Sequence, residues 1–257
     1  MISNSTFFIQ QVAAEQRKAR RRHLLLFPAG ILMILFLWGL WSNKTAAPSD
    51  LAQGYTSLLY QLPMMNAIFM PVMVAVIASR LCDMEIKGGT LKLLFTLQHR
   101  SSFYNCKLLY GMKYLLIFTL GEVVLILACG QIFHFTEPLR PDLIILNFIS
   151  TFVVGIVVLI VQQTLSLMSD NQLMPLIVGL GGSFLGLFSM YFPRAVSRFV
   201  LWGYFGMFTP LGMDWDPRTR VITYFDIPFP TTDFVIFLIA GVIIYLAGIT
   251  LFLRKEV

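Results

Sequence analysis

Charged side chains are scarce in this sequence. Only 12% of its 257 residues are Asp, Glu, Lys or Arg, whereas 57% are apolar. A soluble globular domain carries about 25% charged residues, so the composition excludes that class of protein. It indicates an integral membrane protein instead.

Cysteine and histidine are also rare, with three of each. Cys82, Cys106 and Cys129 have no C-x-x-C spacing, so we expect reduced thiols and no disulfide framework. The histidines are far apart and lack neighbouring acids in metal-ligand spacing. We therefore expect no metal site.

Three catalytic signatures are missing from the sequence. It contains no H-E-x-x-H, no G-x-S-x-G and no glycine-rich phosphate loop followed by Lys-Ser/Thr. We expect no catalytic residue and no bound cofactor in this chain. We therefore expect that the protein does not hydrolyse nucleotide itself.

What the sequence does contain is six apolar runs, each close to the roughly 17–25 residues that cross a bilayer. They lie at 24–42, 58–79, 113–132, 143–165, 172–192 and 234–253. A membrane β-barrel alternates in polarity, and these runs do not. The expected fold is all-α: one polytopic membrane domain over 1–257 with six transmembrane helices.

The orientation follows from the distribution of Lys and Arg. With both chain ends inside, the inner segments hold 13 of the 19 basic residues, most of them at 17–22 and 80–113. Basic residues concentrate on the cytosolic side of membrane proteins. We therefore expect cytosolic N- and C-termini.

Residues 1–23 are too polar to cross a membrane and carry five basic residues at 17–22. Phe7, Phe8 and Val12 predict one apolar face, which is typical of an interfacial helix on the inner membrane surface. A signal peptide is the alternative. The length of the first run and its tryptophans favour a retained anchor.

The largest polar segment expected in the cytosol is the basic loop at 80–112. Within it, 85–97 predicts a short helix interrupted near its start by Gly88 and Gly89. One apolar stripe of this helix comprises Ile86, Leu93, Leu94 and Leu97. The stripe predicts one of two partners: the inner leaflet, with lysines toward lipid phosphates, or a groove on another protein.

One carboxyl group falls inside the membrane. Glu122 lies nine residues beyond Lys113, which places it about 13 Å along the helix axis and near the bilayer midplane. The third run offers no cation to pair with it. We expect Glu122 to be protonated or to face a polar seam formed by Asn147, Thr151 and Gly155, either as a structural carboxyl or as a contact for a substrate or proton.

Glu122 also supports two other hypotheses. In an integral membrane enzyme it would act as an acid or base, but no second catalytic group is evident at the same depth. In a proton-coupled secondary transporter it would carry the proton, but the sequence shows no inverted repeat.

The segment at 193–233, between the fifth and sixth runs, is too apolar for a solvated loop. We expect re-entrant or interfacial helices at the outer leaflet. The alternative is a small extracellular cap in which four aspartates, Asp214, Asp216, Asp226 and Asp233, face water. In the fifth run, Gly182 and Gly186 have the spacing of a close helix contact, within one subunit or between two.

The order of these features resembles the type-two ABC exporter permeases. EIKGGTLKLLFTLQHRSSFYNCK, from Glu85 to Lys107, is similar to the family pattern E-x-x-x-G-T-x-x-x-L-x-x-x-P-x-S-R-x-x-x-x-x-K. The sequence departs from it at Leu97-Gln98-His99, where the family has a proline. The short chain looks most like permeases of bacteriocin or lantibiotic self-immunity transporters.

This resemblance implies a multi-pass protein of the bacterial cytoplasmic membrane. Its partners would be cytosolic ATPase subunits that bind ATP and Mg²⁺, a second permease, the lipid bilayer and an amphipathic peptide or lipid substrate, with no nucleic acid. The family pattern implies Glu85, Gly89, Thr90, Leu94 and Arg100 as ATPase-coupling residues, and the apolar stripe adds Leu93 and Leu97. From the polar seam we expect Glu122, Asn147 and Thr151 to line the substrate path.

Overall fold

The computed structural model describes residues 13, 15–18, 22–44, 48–218 and 222–255. Residues 13 and 15–18 are helical, and we refer to them as the N-terminal segment. The remainder of the amphipathic helix predicted over 1–23 lies almost entirely outside the described residues.

The described chain is mostly helical. Its helices are α1 (Leu26–Asn43), α2 (Pro48–Leu51), α3 (Gly54–Lys87), α4 (Leu91–Leu97), α5 (Arg100–Ile132), α6 (Pro141–Met168), α7 (Leu173–Ser189), α8 (Arg194–Ser197), α9 (Tyr204–Met207) and α10 (Thr231–Leu253), with a 3₁₀ turn at Leu201–Gly203. Among the described residues, α1, α3, α5, α6 and α10 are long and apolar enough to cross a membrane. The predicted fifth run corresponds to α7, which is shorter at 17 residues.

The long helices alternate in direction within one bundle. We call the end that carries Lys87, Arg100 and Arg254 the basic end. The opposite end carries two short strands and is called the hairpin end. Both α3 and α5 extend at the basic end well beyond the apolar runs that predicted them.

The centre of the bundle is α3, where Ala67, Met70 and Val74 are fully buried. A Cβ added at Gly179 of α7 would lie 2.5 Å from the Cβ of Ala75, so the small residues allow these two backbones to approach closely. The peripheral helices α1 and α10 instead expose most of their apolar side chains. That surface is what a lipid-facing helix requires.

The described chain is mostly helical as predicted, but the segment at 193–233, for which re-entrant or interfacial helices were expected, is only partly helical. After three short helical turns the chain forms an antiparallel hairpin of β1 (Leu211–Trp215) and β2 (Ile222–Asp226). The β2 sequence, ITYFD, is rich in β-branched and aromatic residues, which favour extended backbone. Helical periodicity alone could not reveal this preference.

The hairpin forms a small cap, which was the alternative prediction for this segment. Asp214, Asp216 and Asp226 are exposed as that alternative expected. Asp233 is buried, and its carboxylate lies 2.9 Å from the Arg198 guanidinium. It therefore anchors the start of α10 instead of facing water.

The two glycines of α7 pack within the subunit. Added Cβ atoms at Gly182 and Gly186 would lie 2.5 Å and 2.9 Å from atoms of Trp202. Trp202 therefore occupies the surface that the glycine spacing had marked as a helix contact, with its indole at Gly182 and its backbone at Gly186.

Candidate functional site

A sharp chain reversal at the basic end separates α3 from α4. α3 ends at Lys87, Gly89 has a φ of +60°, and the Thr90 N–H donates to the Glu85 carbonyl at 3.1 Å. An added Cβ at Gly88 would lie 2.8 Å from the Met84 carbonyl oxygen. The helix predicted over 85–97 is therefore two helices, and the glycine pair allows the turn between them.

Beneath this turn lies a buried ion cluster. Lys107 of α5 is fully buried, and its ammonium lies 2.8 Å from Glu85 and 3.6 Å from Glu15. The same ammonium donates to the Leu81 carbonyl at 2.6 Å. Lys18 completes the cluster, 3.0 Å from Glu85 and 3.4 Å from Glu15.

The cluster balances two carboxylates with two ammonium groups. It connects three parts of the chain: the N-terminal segment, the last turn of α3 and the beginning of α5. Breaking a buried pair by removing one partner typically costs about 3–5 kcal/mol, because it leaves a buried charge uncompensated. The geometry therefore fixes the positions of the two helix ends that flank α4.

The inner face of α4 packs against the aromatic rings of Phe103 and Phe252. On this face Leu91 is buried, and Leu94 and Phe95 are half-buried. The ring of Phe95 lies 6.1 Å from that of Phe103 on α5 and 5.8 Å from that of Phe252 on α10. α4 therefore rests on two long helices at once.

The outer face of α4 carries two leucines. Leu93 is 62% exposed and Leu97 is 65% exposed. The predicted single stripe was wrong, because Leu94 faces inward and Ile86 belongs to the end of α3. The apolar surface left on the outside of α4 is the pair Leu93 and Leu97.

Arg100 is engaged within the protein. Its guanidinium donates to the carbonyls of Leu253 and Lys255, both at 2.9 Å, and lies 4.5 Å from the centre of the Phe95 ring. These carbonyls lie at the C-terminal end of α10, where helix carbonyls lack partners in their own helix. Arg100 was predicted as an ATPase-coupling residue; in the structure its side chain ties α4 and α5 to α10.

Glu122 is buried in the bundle, with 1% of its surface exposed. Its carboxyl group interacts with the side chain of Asn66 on α3, and the Asn66 amide donates to Thr151 on α6 over a long 3.5 Å. Neither the carboxyl oxygens of Glu122 nor the side-chain carbonyl oxygen of Asn66 have a hydrogen-bond partner among the described residues. The polar seam that was predicted from α6 alone therefore includes α3.

The predicted seam residues contribute unequally. Asn147 and Thr151 are both buried. Gly155 is a packing position, where an added Cβ would lie 3.0 Å from Met70 and 3.3 Å from Leu115. Thr151 accepts the long hydrogen bond from Asn66, the residue whose side chain interacts with Glu122.

A cleft of about 340 Å³ opens at the hairpin end between α3, the end of α7 and the segment before β1. Tyr60, Met64, Met190 and Met207 form much of its apolar lining, and Arg194 supplies a positive charge. This combination suits a ligand with an apolar body and a polar end.

Residues 11–186 match a family model described as ABC-2 family transporter protein. The match covers more than half of the 257-residue chain. The chain belongs to the ABC-2 transporter family. A comparison with curated protein sequences gives no match.

This ABC-2 protein is a multi-pass membrane protein, and the family match confirms the resemblance to type-two ABC permeases. The matched residues include α4, the ion cluster around Lys107 and Glu122. The family implies a transport subunit that works with an ATP-binding partner. The finer likeness to immunity transporters is taken up as a proposal below.

Several contacts of this site were missed at the sequence level. The loop motif marked Glu85 and Lys107, but Glu15 and Lys18 lie far away in the sequence. Their acidic-then-basic spacing on one helix was the available signal. Nothing local marked Asn66 as the partner of Glu122 or Phe252 as the partner of Phe95.

Proposed function

We propose that this ABC-2 protein is the permease subunit of an ABC exporter in the bacterial cytoplasmic membrane. It crosses the membrane six times, with α7 as the fifth span and the basic end in the cytosol. A separate ATPase subunit binds ATP and Mg²⁺ and hydrolyses the nucleotide. A second permease, identical or a sister chain, completes the transporter.

The observation that carries this proposal is the two-faced packing of α4. Its inner face rests on Phe103 and Phe252, whereas Leu93 and Leu97 remain exposed on the outer face. A short helix held firmly from behind can insert two apolar side chains into a groove on another protein. Lys92, which is also exposed, would contribute long-range attraction to an acidic rim.

The connections of α4 explain how a push on it would reach the membrane. The Glu85–Lys107 pair joins the ends of α3 and α5, so these two helices move with α4. The Phe95–Phe252 contact and the Arg100 hydrogen bonds add α10. Closure of an ATPase beneath α4 would therefore act on three long helices as a rigid-body displacement.

The proposed substrate is amphipathic, either a peptide of the bacteriocin or lantibiotic class or a lipid. The described residues contain no large soluble domain at the hairpin end, so the substrate would be taken from the bilayer or its outer face. The cleft beside Met64, Met190 and Met207 offers flexible apolar contacts there, and Arg194 offers a charge. In a producer of such a peptide, the activity would be self-immunity.

The proposal is tested by reconstitution. An adjacent reading frame that encodes an ATPase with a phosphate loop would identify the partner. Proteoliposomes that contain both proteins should then move a labelled lantibiotic only with ATP and Mg²⁺, and Met64→Trp should reduce this transport by filling the cleft. Met213→Trp is the matched control, because Met213 is 42% exposed on β1 and does not line the cleft. ATP-independent peptide movement would contradict the proposal.

A further inference from the structure

A second cleft, of about 560 Å³, lies at the basic end. It is bounded by the last turns of α3, by the loop between α6 and α7, and by Arg22. Its charged lining includes Arg80, Asp83 and Lys87, and Gln172 lies on the opposite wall. None of these residues belongs to the α4 surface or to the cleft at the hairpin end.

The cations of this cleft differ in whether they already have an anionic partner. Arg22 and Lys87 lie 3.7 Å and 3.1 Å from the Asp83 carboxylate. Arg80 is exposed, and its guanidinium stacks 5.1 Å from the centre of the Phe27 ring. Among the described residues, no carboxylate forms an ion pair with Arg80. The N–H donors of its guanidinium are therefore free to bind an anion.

Two residues that line the cleft, Asp83 and Gln172, also carry buried acceptors without donors among the described residues. Gln172 is 9% exposed, and its side-chain amide nitrogen donates to the carbonyls of Ser166 and Ser169 at 3.0 Å and 3.2 Å. In the part of the chain that the structure describes, its amide oxygen is buried without a partner, and so is Oδ1 of Asp83. Buried acceptors of this kind are destabilising until a donor reaches them. A ligand that fills this cleft well must therefore carry donors as well as an anion.

The surroundings place the cleft at the edge of the hydrocarbon layer. Leu173 and Ile177 of α7 are 62% and 63% exposed, and Leu26 at the beginning of α1 is 67% exposed. These side chains form lipid-facing surface immediately beside the charged lining. The groups that occupy this depth in a bilayer are phospholipid headgroups.

We propose that this cleft binds one phospholipid headgroup that combines a phosphodiester with an N–H or O–H donor. The phosphate binds the Arg80 guanidinium, which presents a planar pair of donors. The headgroup donor binds Oδ1 of Asp83 and the amide oxygen of Gln172. Phosphatidylethanolamine and phosphatidylglycerol have this chemistry, whereas phosphatidylcholine has the phosphate but no donor.

Native mass spectrometry of the purified full chain, stripped of lipid and titrated with each of the three phospholipids, tests the proposal. Phosphatidylethanolamine or phosphatidylglycerol should bind with one molecule per chain and at least about tenfold more tightly than phosphatidylcholine, because hydrogen bonds to charged groups are involved. Inorganic phosphate at the same concentration should not displace the lipid. Equal binding of all three lipids, or displacement by phosphate, would overturn the proposal.

Two Arg80 variants and one control sharpen the test. Arg80→Gln should weaken binding of the preferred lipid by about tenfold or more, whereas Arg80→Lys keeps the charge and should lose less. Arg254→Gln is the control, because Arg254 is exposed at the same end and does not line the cleft. Equal losses in Arg80→Gln and Arg254→Gln would show non-specific attraction and overturn the proposal. The comparison of the three lipids needs no variant and does not depend on ATPase binding. This proposal can therefore fail while the proposed exporter function still holds.

Discussion

The ring of Phe95 meets the ring of Phe252 nearly edge-on, with centroids 5.8 Å apart and planes at 76°. Phe95 lies on α4, and Phe252 lies at the end of the last long helix. The contact makes α10 part of the support for α4, although the two are distant in sequence. It also decides which side of α4 remains free for a partner.

The first prediction concerns the buried ion cluster. Lys107→Met should lower the free energy of unfolding by about 3–5 kcal/mol. Without the Lys107 ammonium, the carboxylates of Glu85 and Glu15 share only the ammonium of Lys18, so one buried negative charge is uncompensated. Lys92→Met, at an exposed position of α4, should change it by less than about 0.5 kcal/mol. Thermal unfolding of the purified protein in detergent measures both. Similar losses in the two variants would show that the cluster does not stabilise the basic end.

The second prediction concerns the turn before α4. Gly89 has a φ of +60°, so Gly89→Ala should cost about 1–2 kcal/mol. Gly89→Asn should cost less, because Asn tolerates this conformation better. The same unfolding assay distinguishes the two. In the reconstituted transporter, Gly89→Ala should also lower the substrate-stimulated ATPase rate more than Gly89→Asn does, and the reverse order would contradict a role for the turn.

The third prediction concerns Glu122. Glu122→Gln keeps the size and hydrogen-bonding capacity of a protonated carboxyl next to Asn66, so ATP-driven transport should remain within about twofold of wild type. A proton-coupled secondary transporter would lose its transport instead, and an enzyme that uses this acid would show no ATP-driven transport in either protein. Transport measured in proteoliposomes, with ATP and then with a proton gradient alone, separates these hypotheses.

The fourth prediction concerns the ion pair that ties β2 to the loop before α6. Arg140 donates to both carboxylate oxygens of Asp226, at 2.9 Å and 2.8 Å, and these bonds lower the pKa of Asp226. Because the folded pKa lies below the unfolded one, the pair stabilises the hairpin above the unfolded pKa, and the contribution disappears as the pH falls through the folded pKa. Both side chains are partly exposed, so the contribution is about 0.2–1 kcal/mol.

Hydrogen exchange of the β2 amides measures this contribution. At pH 7, Arg140→Gln should exchange faster than wild type in β2. The difference should shrink in acid, below about pH 4, as Asp226 is protonated in both proteins. A difference that is absent at pH 7 or unchanged in acid would contradict the prediction.

The sequence predicted a bundle of long apolar helices and a basic loop that contains a short helix, because apolar run length and basic residue distribution are local signals. It also predicted the interruption at Gly88 and Gly89. It could not decide which side of α4 is buried. Spacing shows that Leu93 and Leu94 are both apolar, but only the arrival of Phe103 and Phe252 from elsewhere makes Leu94 the inner one.

The hairpin and the partner of Glu122 were missed for a similar reason. By composition, the apolar residues at 211–226 fit an interfacial helix. The segment forms strands instead, because β-branched residues favour extended backbone and the two strands pair with Leu211 opposite Asp226. Asn66 reaches Glu122 from another helix. No single-sequence pattern specifies such a contact, because it depends on how the helices pack.

The central claim is that an ATPase binds the outer face of α4, and its most direct test is co-purification. Leu93→Asp and Leu97→Asp should each reduce the recovered ATPase by about tenfold or more while the permease stays inserted and monodisperse. Leu139→Asp is the matched control, since Leu139 is 46% exposed in the loop before α6 at the hairpin end and should leave recovery unchanged. Full recovery of the ATPase with both α4 variants would contradict the account.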